Sequence, residues 1–424
     1  MLSAIKNSWA LLLGIFFLMI GNGLQGTVLG VRGDGEGYSA SVMGFVMSAY
    51  FVGFLGGTQA TPWLLRRVGH IRVFAALASL ISAAFILYAA IVHPVSWLIL
   101  RLIIGFCFSG VYVVAESWLN NSATNETRGQ TMSAYVFSQM VGIVLAQGLL
   151  NVADPAGYDL FIIMSVMVSV SFLPILLSSS PMPVFESTRR MSLGQLFKTS
   201  PLGCVGMFML GTIFACLFGM APVYAADLRF STAQVSIFIG AIYLGGMLLQ
   251  IPIGWFSDRM DRRVLIAGLT AVGAAASIVA MLVGNVFGLL VGISFVIGGI
   301  ANPMYSLLAA YVNDLLDHDD MASASGGLIM INGVGAMGAP VAAGFVMDNA
   351  GAGGFFLFIA VAMGSISAYA IYRMTQRPAT PVDETGPMVP MSQLAGTVAA
   401  DVAWEVAAQE AAVSEESETP DAAR

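Results

Sequence analysis

The chain has 424 residues, of which 58% are hydrophobic and only 10% are charged. A soluble globular protein carries about 25% charged residues, so this composition excludes a soluble enzyme and predicts an integral membrane protein. The formal net charge of −7 arises in residues 375–424, which hold nine acidic and two basic residues. The rest of the chain is balanced in charge and offers no basic surface for nucleic acid.

Apolar stretches of about 20 residues recur between short polar breaks, and each is long enough to cross a bilayer as a helix. An all-α integral membrane protein with twelve transmembrane helices is therefore predicted. The predicted spans are 8–30, 38–61, 72–92, 95–119, 130–151, 159–179, 202–225, 234–256, 264–284, 286–311, 322–346 and 354–373.

The basic residues predict the direction of the spans, because cytoplasmic loops of membrane proteins are enriched in Lys and Arg. With a cytoplasmic N-terminus, the outer loops hold only Arg32 and Arg229. The inner segments then hold Lys6, Arg66, Arg67, Arg72, Arg128, Arg189, Arg190, Lys198, Arg259, Arg262, Arg263, Arg373 and Arg377. Both termini are therefore expected in the cytoplasm.

A polar segment, residues 180–201, divides the spans into six plus six and is predicted to be a cytoplasmic linker. It separates an N-terminal six-helix bundle, residues 1–179, from a C-terminal six-helix bundle, residues 202–374. Residues 375–424 are acidic and rich in Ala and Pro. This composition is typical of disorder, so we expect a disordered cytoplasmic tail.

The two halves repeat each other at an offset of 193 residues. Because this offset covers an even number of spans, each pair of copies crosses the membrane in the same direction. The sequence therefore predicts two bundles related by a pseudo-two-fold axis along the membrane normal. The offset maps Tyr50 to Tyr243, Gly53 to Gly246, Gly105 to Gly298, Tyr112 to Tyr305, Gln139 to Asn332 and Gly142 to Gly335.

Polar and small residues form a stripe on the fourth predicted span and again on the tenth. At 100° per residue, each stripe falls within an arc of about 80°. One interpretation is the wall of a cavity between the bundles, and the other is a packing face where small residues let helices approach. The fourth-span stripe is Arg101, Gly105, Ser109, Tyr112 and Glu116, and the tenth-span stripe is Ser294, Gly298, Asn302, Tyr305 and Ala309.

We expect the larger polar members of these stripes to line a substrate pathway. Other polar residues inside spans either line it too or form hydrogen bonds between helices. Arg101 lies nearer the outer face, where an anionic substrate or a carbonyl at a helix end would be its partner. The predicted pathway residues are Asn22, Gln25, Arg101, Ser109, Tyr112, Gln139, Asn302, Tyr305 and Asn332.

Charged turns follow the second span (PWLLRRVGHIR, 62–72) and the eighth (GWFSDRMDRR, 254–263). The second turn resembles the major facilitator superfamily signature G-x-x-x-D-R-x-G-R-R, with Asp261 in the second Gly position. The first departs more, because Pro62 occupies the Gly position and Arg66 the Asp position. RLIIGFCFSGVYVVAESWLN, followed by ETRG, and GGIANPMYSLLAAYVND further resemble the YcaD-like group of permeases.

The resemblance covers residues 1–374 and implies two bundles that rock about a central site, with the charged turns acting as a cytoplasmic gate. It implies that Glu116 pairs with Arg67 or Arg128, and Asp314 with Arg259 or Arg263. Glu116 has an alternative role as a proton-carrying carboxylate. The predicted gate or coupling residues are Arg66, Arg67, Glu116, Arg128, Asp258, Arg259, Arg262, Arg263 and Asp314.

We therefore expect a secondary active transporter that moves a small molecule by alternating access, with proton-coupled efflux as one form. It is expected as a monomer in a bacterial inner membrane, without a catalytic site, metal or cofactor. One alternative is a non-transporting membrane sensor, which would usually add a soluble output domain. The other is a membrane-embedded enzyme, which would need a cluster of catalytic groups in the spans.

Overall fold

The computed structural model describes residues 2–123, 127–176, 191–284, 286–316 and 318–378, and residues 381, 385, 386, 388, 389 and 391. This part of the chain forms fourteen helices and contains no strand. Twelve spans formed by these helices are long and apolar enough to cross a membrane. The predicted number of spans and the all-α class are confirmed.

The N-terminal bundle consists of helices α1 to α7, in which α6 and α7 together make the sixth span. Its helices are α1 (Leu2–Gly35), α2 (Ala40–Val68), α3 (His70–Ala90), α4 (Pro94–Ser122), α5 (Arg128–Leu149), α6 (Asp159–Ser171) and α7 (Leu173–Leu176). A short helix, α8 (Leu193–Thr199), lies within the predicted linker, whose residues 180–190 are outside the described part.

The C-terminal bundle consists of six helices, one for each remaining span. They are α9 (Pro201–Asp227), α10 (Thr232–Ser257), α11 (Arg262–Leu282), α12 (Phe287–Asn313), α13 (His318–Ala350) and α14 (Gly354–Met374). We call the end of the bundles where α1 begins and α14 ends the terminal face, and the opposite end the distal face.

Polar caps begin the matching helices of the two halves. The hydroxyl of Ser39 accepts a hydrogen bond from the Val42 N–H at the start of α2, and Ser231 forms a capping box with Gln234 at the start of α10. Such caps satisfy backbone N–H groups that have no partner inside the helix. Ser39 and Ser231 are 192 residues apart, so the repeat extends to the helix starts.

The helices pair in the same way in both halves. In the N-terminal bundle α2 packs along α4, α1 along α5 and α3 along α6. In the C-terminal bundle the corresponding pairs are α10 with α12, α9 with α13 and α11 with α14. The bundles are therefore related by a pseudo-two-fold axis along the membrane normal, and they meet through α1 with α9, α2 with α13, and α5 with α10.

Glycines permit the close crossing of the paired helices. A Cβ atom on Gly105 would lie 2.0 Å from the Tyr50 carbonyl oxygen, and one on Gly298 would lie 2.2 Å from that of Ile242. For these glycines the packing interpretation of the stripes is correct. The contacts also show that Tyr50 corresponds to Ile242, so the offset is 192 for α2 and α10 and 193 for α4 and α12. The predicted matches of Tyr50 with Tyr243 and of Gly53 with Gly246 are each wrong by one residue.

Candidate functional site: a cavity between the two bundles

A cavity with an empty volume of about 720 Å³ lies between the two bundles. Four predicted pathway residues, Asn22, Gln25, Arg101 and Asn302, lie in its wall. The complete wall is Asn22, Gly23, Gln25, Gly26, Thr27, Tyr50, Phe51, Arg101, Met140, Ile143, Phe214, Phe218, Gly219, Tyr243 and Asn302, and it draws on both bundles.

Arg101 supplies the positive charge of the cavity wall. Its side chain is 5% exposed, its guanidinium carbon lies 5.1 Å from the centre of the Tyr50 ring, and its Nη2 donates to the Met47 sulfur at 3.1 Å. Its Nε and Nη1 atoms are buried and form no hydrogen bond of standard geometry, and the Tyr88 hydroxyl is a neutral neighbour of the guanidinium. A thioether is a weak acceptor, so the charge of Arg101 is poorly compensated by its protein neighbours.

A hydrogen-bonded group of side chains fixes Asn22 at the cavity wall. The Asn22 Nδ2 atom donates to the Tyr112 hydroxyl at 2.7 Å, and Gln25 Nε2 donates to Asn22 Oδ1 at 2.6 Å. Tyr112 therefore lies behind the wall rather than in it, although it was predicted as a pathway residue. Its role in this geometry is to orient Asn22.

Aromatic rings form the apolar part of the wall. The Phe218 ring centre lies 4.0 Å from that of Phe214 and 4.7 Å from that of Tyr243, while Tyr50 and Phe51 lie 5.4 Å apart. None of these five was predicted as a site residue. Aromatic residues in apolar spans are usually part of the core, so their sequence pattern gave no signal of a cavity.

A second cavity, with an empty volume of about 440 Å³, contains the predicted residues Tyr305 and Asn332. It shares Phe51 and Phe214 with the central cavity. The centres of these two rings are 6.5 Å apart, and the rings come from opposite bundles. Phe51 and Phe214 therefore separate the two cavities.

Besides Tyr112, two predicted pathway residues line neither of these cavities. The Ser109 hydroxyl lies 2.7 Å from that of Thr58, a hydrogen bond between α4 and α2. Gln139 is 2% exposed, and neither polar atom of its side chain has a partner. For Ser109 the helix-packing interpretation fits the structure better than the pathway interpretation.

Contacts at the distal face join the two bundles. The Asp348 carboxylate in α13 accepts hydrogen bonds from the backbone N–H groups of Ala40 and Ser41 in α2, both at 3.1 Å. Arg229 forms an ion pair with Asp34 at 3.2 Å from a left-handed backbone conformation, with a φ of 58°. Because a carboxylate at a helix N-terminus is stabilised by the helix dipole, Asp348 is a specific clamp on α2.

At the terminal face of the N-terminal bundle, Glu116 is fully buried and accepts a hydrogen bond from the Tyr135 hydroxyl at 3.2 Å. Arg67 is exposed, and its guanidinium carbon lies 5.3 Å from the centre of the Trp63 ring. The expected pair of Glu116 with Arg67 is therefore not formed, because Arg67 points to the outside of α2. Arg66 is exposed as well, and the Arg128 side chain is outside the described part of the chain.

At the terminal face of the C-terminal bundle, Asp314 pairs with Arg262 at 2.5 Å, so the expected partners Arg259 and Arg263 were wrong. Asp261 holds Arg263 at 2.8 Å, and the Arg259 guanidinium carbon lies 4.4 Å from the centre of an aromatic ring, that of Trp255. Burial raises the pKa of the Asp314 carboxyl, while the Arg262 guanidinium acts in the opposite direction.

A segment of the predicted tail packs against these charged residues. We call its described residues Thr385, Gly386, Met388, Val389 and Met391 the docked segment. The Gly386 carbonyl accepts from Arg262 Nη2, the Met388 N–H donates to Asp258 at 2.9 Å, and the Met391 N–H donates to the Ser306 hydroxyl at 2.8 Å.

Met388 and Met391 are 8% and 6% exposed. Arg263 also donates to the carbonyls of Arg377 and Pro378, at 2.7 and 3.2 Å. These described residues therefore pack against the C-terminal bundle, although the tail composition predicted disorder. The chain from residue 392 onward lies outside the described part.

Comparison with known proteins gives matches over most of the chain. A family model described as Major Facilitator Superfamily matches residues 11–242 and 203–409. The uncharacterised MFS-type transporter YcaD of Salmonella arizonae is 26% identical over 322 residues, which cover 75% of this chain and 83% of the relative. YcaD of Salmonella dublin is 25% identical over the same coverage.

Solved structures share the fold. A mutant of the nucleoside transporter NupG superposes with a TM-score of 0.75 at 14% identity, covering 86% of this chain and 99% of NupG. A bacterial homologue of the human lysosomal transporter Spinster, in an inward-facing and unoccupied conformation, gives a TM-score of 0.66 at 12% identity and covers 96% and 98% of the two chains.

Proposed function

Because the chain belongs to the major facilitator superfamily, we propose that it is a secondary transporter that moves a small molecule across a bacterial inner membrane by alternating access. In such a mechanism the two bundles rock about a site between them, which opens to one side at a time. The central cavity is the proposed binding site. Since both halves of its wall belong to one chain, a monomer suffices.

The observation that carries this proposal is the position of the cavity relative to the contacts between the bundles. Asn22 and Arg101 reach the cavity from the N-terminal bundle, and Asn302 reaches it from the C-terminal bundle. The clamp of Asp348 on α2 then joins the bundles at the distal face. Releasing a few polar contacts of this kind would let the bundles separate there without unfolding either one.

The positive-inside rule supports a cytoplasmic terminal face and cytoplasmic termini, because most basic residues belong to segments on that face. A reporter fused after Arg424 is therefore expected to be active in the cytoplasm.

Glu116 is the acidic side chain that a proton-coupled mechanism would use. Among the described residues, it is the only buried acidic side chain inside a span.

Thiol modification from the two sides of the membrane tests alternating access without a known substrate. The native cysteines Cys107, Cys204 and Cys216 are buried and would be replaced by Ala. Asn302→Cys then places one thiol in the cavity wall. We expect a membrane-impermeant maleimide to modify it from each side in turn, and modification from one side alone would contradict the proposal.

A disulfide across the distal face sharpens this test. Asp34→Cys with Arg229→Cys joins the two bundles, and we expect its oxidation to stop modification of the cavity thiol from the distal side only. Ser82→Cys with Ser165→Cys is the matched control, because these hydroxyls lie 2.7 Å apart within the N-terminal bundle. Unchanged distal modification after complete cross-linking would overturn the mechanism.

A further inference from the structure

Arg101 is the one charged side chain among the described residues that line the central cavity, and its Nε and Nη1 atoms form no hydrogen bond of standard geometry. A buried donor without an acceptor is energetically costly, and the cost is larger for a charged group. No acidic residue occurs among the described residues that line the cavity. The wall therefore carries one positive charge that the protein itself leaves without an anionic partner.

The rest of the wall limits the shape of a partner for Arg101. The Phe218 ring is inclined by 53° to that of Phe214 and by 42° to that of Tyr243, with ring centres 4.0 and 4.7 Å apart, so the three rings form an angled aromatic surface. The amides of Gln25 and Asn302 add neutral polar groups, and Gln25 Oε1 is buried without a donor. Flat apolar groups pack well against aromatic rings, and a guanidinium binds carboxylates strongly.

We infer that the central cavity takes small organic anions, in which a carboxylate meets Arg101 and a flat apolar body lies against the aromatic rings. This inference rests on the proposed function, because it names the substrate class of the same cavity. The ligand's negative charge compensates the guanidinium, and its apolar body removes aromatic surface from water. A neutral molecule of the same shape would leave Arg101 unsatisfied.

Binding of matched acids and amides tests the inference. We would measure the shift of the thermal unfolding midpoint of the purified full chain with benzoate, 1-naphthoate and indole-3-acetate, each against its primary amide. At least one acid should bind about tenfold more tightly than its amide, because a hydrogen bond to a charged group contributes about 1.5–3 kcal/mol. Equal binding of all acid and amide pairs, or no acid binding, would overturn the substrate class.

Substitutions at Arg101 test whether the anion binds to this residue. Arg101→Gln should remove the preference for the acid, and Arg101→Lys should keep part of it. Arg72→Gln is the exposed control that should change nothing. Preserved preference in Arg101→Gln would place the anion elsewhere. If the Asn302→Cys thiol is modified from both sides but no acid binds, alternating access is supported and the organic-anion inference fails. If an acid binds but the thiol is modified from one side only, the organic-anion inference is supported and alternating access fails.

The docked segment carries a separate inference about the terminal face. Met391 bonds to Ser306, which lies seven residues, or about 10 Å, before the end of α12. Ser306 is one helical turn from Asn302 in the wall of the central cavity. Met388 packs against α10, because a Cβ atom on Gly254 would lie 3.2 Å from its terminal methyl group. The segment thus reaches deep between two helices that line the cavity.

We propose that the docked segment obstructs the terminal side of the pathway and leaves when the pathway opens there. Its backbone groups form hydrogen bonds with Asp258, Arg262 and Ser306, and Ser306 both accepts from the Met391 N–H and donates to the Met391 carbonyl. Contacts of this kind can form and break without disturbing the bundle. The docked segment thereby limits access to the central cavity of the same chain.

Two truncations differ only in the docked segment. A chain ending at residue 384 lacks it, and a chain ending at residue 391 keeps it while losing the rest of the acidic tail. We expect the first to raise the rate of Asn302→Cys modification from the terminal side several-fold, and the second to leave it unchanged. Met388→Asp with Met391→Asp, in the full chain, should act like the first truncation.

Thiol modification at Ser306→Cys verifies that the segment has left. If this position becomes reactive in the shorter chain while the cavity thiol does not, the segment covers Ser306 without obstructing the pathway, and the proposal fails. Equal effects of both truncations would likewise assign the obstruction to residues beyond 391. Gln195→Cys, exposed on α8, is the control that should react equally in all chains.

Discussion

The guanidinium of Arg262 lies 2.5 Å from the carboxylate of Asp314, and this ion pair joins the start of α11 to the end of α12. The two side chains are 2% and 4% exposed. Arg262 also donates to the Ala310 carbonyl at 3.1 Å and to the docked segment. One arginine therefore connects α11, α12 and the docked segment.

We expect Asp314→Asn to lower the free energy of unfolding by about 3 kcal/mol, because it removes the closer and more buried of the two carboxylates that pair with the Arg262 guanidinium. Exchanging the two charges, Arg262→Asp with Asp314→Arg, should recover part of this loss. Arg259→Gln is the matched control, since Arg259 is exposed. Denaturant unfolding in detergent measures all four proteins, and equal losses for Asp314→Asn and Arg259→Gln would contradict the assignment.

Gly298→Ala should destabilise the protein by about 1–3 kcal/mol, because its new methyl group would overlap the Ile242 carbonyl oxygen in the crossing of α10 and α12. Gly292→Ala, in the same helix, has nothing within 4 Å of its new methyl group and should be neutral or stabilising by up to about 1 kcal/mol. The same unfolding assay compares them. Similar effects of both substitutions would show that helix propensity, not the crossing, decides the outcome.

Asp348→Asn should favour opening at the distal face, because a neutral amide interacts less strongly than a carboxylate with the N-terminus of α2. The expected shift is about 0.5–2 kcal/mol, measured as faster modification of the Asn302→Cys thiol from the distal side. Asp159→Asn removes the same charge from the start of α6, within one bundle, and should leave that rate unchanged. Equal modification rates in the two variants would show that the Asp348 carboxylate does not hold the distal face closed.

Glu116→Gln should change the rate of exchange between the two open states while leaving the affinity for an aromatic acid within a few-fold. Glu116 is buried against Tyr135 and does not line the central cavity. Thiol modification from both sides reports the exchange, and the thermal shift with acid reports the affinity. A large loss of affinity with normal exchange would instead place Glu116 at the substrate.

The sequence could predict the twelve spans, the two-fold repeat and the family, because each depends on patterns that extend along whole helices. Apolar length sets the spans, and glycines recur where paired helices must cross. The superfamily match and the YcaD relatives confirm the resemblance that the fourth and tenth spans carried. One residue of error in the offset remained, since an insertion between two helices leaves both helix patterns intact.

Ion-pair partners could not be predicted, because neighbouring residues at a helix start point in directions about 100° apart. Asp261 begins α11 by accepting the Arg263 N–H, and it also holds the Arg263 guanidinium. Arg262 is then the residue that faces Asp314. The sequence placed several arginines at this turn but did not fix which of them turns inward.

The aromatic wall and the docked segment were missed for another reason. A ring in the cavity wall differs from a core ring only because it faces the cavity rather than packed side chains. Whether Phe51, Phe214 and Phe218 do so depends on how the two bundles assemble. The docked segment belongs to an acidic, Ala-rich tail, and its two methionines are too few to change the average composition. Its binding place consists of the hydrogen-bonding groups of Asp258, Arg262 and Ser306, which lie on or next to α10, α11 and α12.

The distal clamp tolerates substitution on one side far more than on the other. On α13 it depends on a single carboxylate, that of Asp348, but on α2 it uses only the backbone N–H groups of Ala40 and Ser41. Almost any side chain at positions 40 and 41 would keep those donors. Proline is the exception, and a helix accepts proline at its first position. Ala40→Pro should therefore leave α2 intact while removing half of the clamp.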